Sequence, residues 1–120
     1  MTKMQTLHAF WSGFTWDAYD ENSVPESASL PYITYEASSD DFGNNINLTA
    51  SIWDRSSSWA TVTDKEQDIS DFIGRGGRMV AYDDGAMWIR RGSPWAQRMN
   101  EPSDDSIRRI VLNVVIEFMD

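Results

Sequence analysis

The sequence contains no cysteine. Disulfides, thiolate metal sites and thiol nucleophiles are therefore excluded, which suits a chain that folds in a reducing cytoplasm. Histidine occurs once, as His8, so any metal site would have to be built from carboxylates. Cations are scarce as well. Ten Lys and Arg face nineteen Asp and Glu, a formal net charge of -9. A sequence-independent nucleic-acid binder needs a basic footprint, which this balance does not supply. No apolar run approaches the ~20 residues that span a bilayer. The first residues lack the basic and apolar regions of a signal peptide. The expectation is a chain that neither spans a membrane nor is exported.

What is present fits one domain over residues 1–120, with no internal repeat and no low-complexity tract. A chain of this size buries roughly two-thirds of its unfolded surface, enough to fold without a staple. The distribution of charge says more than its sum. Met4 to Asp54 holds eight acids and no Lys or Arg, whereas Arg75 to Arg109 holds seven Arg and five acids. Two faces of opposite sign are one reading, and a head-to-tail ring would join such faces because its contacts use different patches on each subunit. Chance segregation on a solvated surface is the competing reading. Six Trp, four Tyr and five Phe exceed what so small a core easily takes in, so some are expected to face a partner.

Along the chain, Met4, Leu7, His8, Trp11 and Phe14 fall at helical spacing, with Thr2 and Gln5 placed as a capping box. Residues 15–30 read as an acidic loop around Pro25. Pro31 opens a strand, PYITYEA, and a second strand follows, INLTASIWD, in which Ile46, Leu48, Ala50 and Ile52 alternate with polar residues and Trp53. A helix lies between Ser57 and Ile73. Either a serine at 57 or 58 caps it, or Thr63 with Glu66 does, and the GRGG run at 74–77 ends it. Asp83-Asp84-Gly85 joins a hairpin of RMVAY and AMWIRR, the second strand breaking at Gly92-Ser93-Pro94. A polar loop reaches Asp105, and Ile107 to Phe118 alternates as a central strand. The predicted fold is α+β: a mainly antiparallel sheet of about five strands with two helices packed on one face.

Chemistry-bearing patterns are few. His8 sits on the apolar stripe of its helix, where a packed structural role outweighs that of a base. The pairs Asp40-Asp41, Asp83-Asp84 and Asp104-Asp105 lack the spaced ligands of a calcium loop and read as solvated turns. The GRGG run follows a helix and precedes a strand, the reverse of a phosphate loop. No cofactor and no enzymatic activity are expected. The remaining cluster is Trp88, Arg90, Arg91, Trp95 and Arg98, with Arg75 and Arg78 nearby. It reads as a partner-binding edge, because Trp95 follows the break and has no periodic core to join. The alternative is ordinary inward packing with Arg at the surface.

Several segments taken together resemble the tail terminator, or tail completion, proteins of long-tailed bacteriophages. They are LHAFWSGF at 7–14, VPESASLPYITYE at 24–36, SIWDRSSSW at 51–59, GRGGRMV at 74–80 and MWIRRGSPWAQRM at 87–99. The resemblance implies a virion protein, assembled in the host cytoplasm, that forms a hexameric ring on the end of the tail tube. Its partners would be its own copies, the tail tube protein and a head-completion or neck protein, with DNA passing through the lumen unbound. A different neck component, such as a head-completion or connector-ring subunit, is the nearest rival. A small acidic protein that mimics DNA is a third.

Overall fold

The computed structural model describes residues 1–40 and 42–120. Its elements follow in the order α1 (Lys3–Ser12), β1 (Asp17–Asp20), β2 (Tyr32–Tyr35), β3 (Asn45–Arg55), α2 (Ala60–Ile73), β4 (Arg78–Tyr82), β5 (Gly85–Met99) and β6 (Ile107–Met119). The α+β class holds, but the sheet has six strands in the order β1-β2-β3-β6-β5-β4. It is mixed: β1 and β2 run parallel, and every other neighbouring pair is antiparallel.

The additional strand is β1, inside the segment expected to be loop. Its four residues include Asp17 and Asp20, and Asp is a poor strand former. Pairing with β2, from Asp17 opposite Tyr32 to Asp20 opposite Tyr35, makes it a strand where local propensity does not.

Strand β6 is central, as its alternation predicts. It pairs with β3 on one side and β5 on the other. Ile110, Leu112, Val114, Ile116 and Phe118 are buried, in register with Leu48, Ala50 and Ile52 on β3 and with Met87 and Ile89 on β5. Both helices cover this face. Leu7, Trp11 and Phe14 of the α1 region and Val62, Ile69 and Ile73 of α2 join the same core. Helix α1 touches both outer strands, β1 and β4, so the sheet curls around it.

The capping box forms, with Thr2 Oγ1 accepting from the Gln5 N–H at 3.2 Å and Gln5 Oε1 from the Thr2 N–H at 2.9 Å. Helix α2 begins at Ala60, whose N–H donates to the Ser58 hydroxyl at 3.0 Å; Thr63 and Glu66 lie inside it. It ends at Gly74, in the left-handed region at φ 75°. Strand β5 does not stop at Gly92. The expected break survives as an irregularity between Arg91, opposite Val114, and Ala96, opposite Leu112. Pro94 has no N–H to give to a ladder, and it sits in that irregularity with its carbonyl accepting from Asn113 Nδ2 at 2.9 Å.

Candidate assembly surface

The sheet face away from the helices displays the alternate residues of each strand. On it, Tyr19, Tyr32, Trp53 and Arg109, from β1, β2, β3 and β6, stand side by side. Ring centroids are 5.7 Å apart for Tyr19 and Tyr32 and 6.5 Å for Tyr32 and Trp53, and the Arg109 guanidinium lies 4.4 Å from the Trp53 ring. The Trp53 indole N–H donates to Thr34 Oγ1 at 2.9 Å, and Arg109 Nε donates to Ser51 Oγ at 3.1 Å. Such partners hold the row in one arrangement, which lowers the ordering cost of a contact made there. Only Trp53 was legible as an open-face aromatic; Tyr19 lies in the segment read as loop, and the row needs the strand order to become visible.

The seven residues singled out in the sequence do not form one patch. Trp88 and Arg90 lie in β5, with the Arg90 guanidinium over the Trp88 ring at 4.1 Å and its Nη2 donating to Asn45 Oδ1 at 2.6 Å. The Trp88 N–H donates to the Gly76 carbonyl at 3.0 Å. Strand alternation sends Arg91 to the opposite face, where its Nη1 donates to the buried Ser70 hydroxyl of α2 at 2.8 Å. Arg98 lies over the Trp59 ring at 4.8 Å and shares it with Arg108 at 5.4 Å. Arg78 lies over the Phe72 ring at 4.0 Å and donates twice to the Phe72 carbonyl. Arg75 is exposed in the turn before β4. Trp95 corrects an expectation: it is half-buried and packs against the core it was expected to lack.

Charge is segregated, though by halves of one sheet and not by its two faces. Strands β1, β2 and β3 carry three Asp against one Arg, while β4, β5 and β6 carry six Arg against one Glu. The strand order gives each set its own half of the sheet, the two meeting at β3 and β6, where Asp54 lies opposite Arg108.

His8 also departs from expectation. It is exposed on the rim of α1, and its Nδ1 lies 2.8 Å from the Tyr35 hydroxyl. Among the described residues no three His, Asp or Glu side chains converge as metal ligands; Asp41, half of one candidate pair, lies outside the described residues. Asp104 belongs to the loop between β5 and β6. Hydrogen bonds from the Ser106 hydroxyl and N–H, and then from Arg55, bring its carboxyl down to about 2. Burial, and then the Asp120 carboxylate that accepts its hydroxyl at 2.6 Å, push the Tyr82 phenol up to about 12. Asp104 and Tyr82 each tie the chain to itself.

No family model matches the chain, and no curated protein matches it. Among solved structures, a chain from the virion of the native gene transfer agent (GTA) particle matches with a TM-score of 0.50 and 19% identity, over 86% of this chain and 78% of that one. The fold is shared with a virion chain. At this identity the likeness concerns the fold alone. No described helix is long and apolar enough to cross a membrane.

Proposed function

We propose that this chain is a structural virion protein of the tail-terminator type, which forms a hexameric ring on the end of a tail tube, stops its growth and offers the joining surface to the head or neck. The observation that carries the reading is the fold likeness to a virion chain over most of both molecules. The placement of opposite charge on opposite halves of the sheet supports a head-to-tail ring, because neighbours then meet through unlike patches. On this reading the protein works by contact and not by catalysis, and needs no cofactor. Its partners are its own copies, the tube protein and a neck protein, and DNA passes through without specific binding. The setting is the virion, with assembly in the host cytoplasm.

The test is capping. Tail tubes mixed with the purified protein should gain a ring at one end and stop elongating when tube subunits are supplied. Decoration of tailless heads instead would assign the chain to a head-completion or connector ring. A tight complex with a basic host enzyme, and no ring, would assign it to the acidic DNA mimics.

A further inference from the structure

We infer that neighbouring copies of this chain join by a knob and a hole, with Phe42 of one copy entering the groove between α1 and β4 of the next. The inference rests on the ring reading above and names the contact that builds it.

Among the described residues, strand β4 is outermost on its side of the sheet and pairs with β5 alone. A free strand edge attracts partners unless charge or proline guards it. Arg78-Met79-Val80-Ala81-Tyr82 has one charge and no proline. Between this edge and α1 lies a groove of about 390 Å³ lined by Thr6, Phe10, Phe72, Met79 and Val80. Phe72 and Met79 are 44% and 54% exposed, so two large apolar side chains meet water there. The Thr6 hydroxyl is buried in the same place and has no hydrogen-bond partner. Arg78 also lines the groove and spends only two of its guanidinium donors, both on the Phe72 carbonyl; Arg75 precedes it by three residues. The hole is apolar inside, short of one hydrogen bond, and cationic at its rim.

Phe42 is the complementary feature. It is 65% exposed, in the connection between β2 and β3. Residues 36–44 include Glu36, Asp40 and Asp41 and no cation. The connection is anchored on both sides of the ring: Lys3 Nζ donates to the Asp40 carbonyl at 3.3 Å, and the Gly43 N–H donates to the Phe118 carbonyl at 2.8 Å. An apolar ring on an anchored acidic loop matches an apolar hole with a cationic rim in both shape class and sign. Knob and hole are different patches, so the contact repeats head to tail from copy to copy.

Two sets of variants test this, with and without tail tubes present. Phe42→Asp and Met79→Asp change exposed side chains, and each should weaken self-association roughly tenfold or more. Mixed in equal amounts they should recover a heterodimer and nothing larger, since one keeps the hole and the other the knob. The doubly substituted Asn44→Cys, Ala81→Cys chain keeps Phe42 and Met79, places its thiols at exposed positions beside the knob and in the lining of the hole, and has no competing thiol. A short bismaleimide should link it into a ladder on a denaturing gel, while either single variant yields a dimer at most. If wild-type rings are seen by native mass spectrometry yet no ladder forms, the knob and hole are overturned and the ring stands. A ladder that never closes keeps the contact and overturns the ring. If neither ladder nor ring forms even on tubes, both readings fall.

Discussion

Gly77→Ala is the most discriminating single substitution that the fold offers. Gly77 has φ +87°, a left-handed backbone that costs a residue with Cβ about 1–2 kcal/mol. A Cβ built there would lie 2.5 Å from Trp88 Nε1, 2.7 Å from Arg90 Cγ and 2.8 Å from the Ile89 carbonyl oxygen. The two side chains can swing aside. Ile89 cannot, because it is paired with Arg78 on one flank and Ile116 on the other. Overpacking of this kind adds roughly 1–3 kcal/mol, for a total of about 2–5 kcal/mol. A domain of this size loses roughly 4 °C of Tm per kcal/mol, so thermal unfolding followed by circular dichroism should fall by roughly 8–20 °C. Displacing Trp88 also breaks its hydrogen bond to the Gly76 carbonyl, and the tryptophan emission should shift. Gly76→Ala is the control: nothing lies within 4 Å of its Cβ position, and its Tm should stay within roughly 2 °C of the parent. Equal melting of the two variants would refute the close approach of the GRGG turn to β5.

The Tyr82 phenol, up at about 12 against an ordinary 10.0, makes a contribution that is full below pH 10 and is lost as pH rises from there towards 12. Burial, and then the Asp20 carboxylate, also raise the Tyr35 phenol, so phenolate absorbance should show Tyr82 as the step near 12, and Tyr82→Phe should remove that step and flatten the alkaline loss of stability. Arg91→Ala takes the donor from the buried Ser70 hydroxyl and should cost about 1 kcal/mol, whereas Arg75→Ala at an exposed turn should change stability by less than about 0.5 kcal/mol; reversed ranks in a urea titration would contradict the two placements. Trp95→Ala should cost about 2 kcal/mol, near half the loss for a fully buried tryptophan. An unchanged melt with lost assembly would move Trp95 from the core to a contact.

Much of this fold is legible in the residues, and the gaps have physical causes. The capping box at Thr2, the glycine stop at 74 and the alternation of β6 depend on neighbours in sequence, and all three appear where local rules put them. Strand β1 does not, because its pairing partner lies beyond a connection of eleven residues, Glu21 to Pro31, and its own composition argues against it. The same distance hides the row of Tyr19, Tyr32, Trp53 and Arg109, which only the strand order assembles. The arginine cluster was visible as composition, but adjacent strand residues point apart. Arg90 and Arg91 therefore serve different faces, and each is already committed to a neighbour in its own chain.

The last of the described strands, β6, is one of the two central strands of the sheet. During synthesis the segments that become β1 to β3 and β4 to β5 leave the ribosome with no strand to join them, because β3 and β5 meet only through β6. The core therefore closes only once residues 107–119 are available to pair with β3 on one side and β5 on the other.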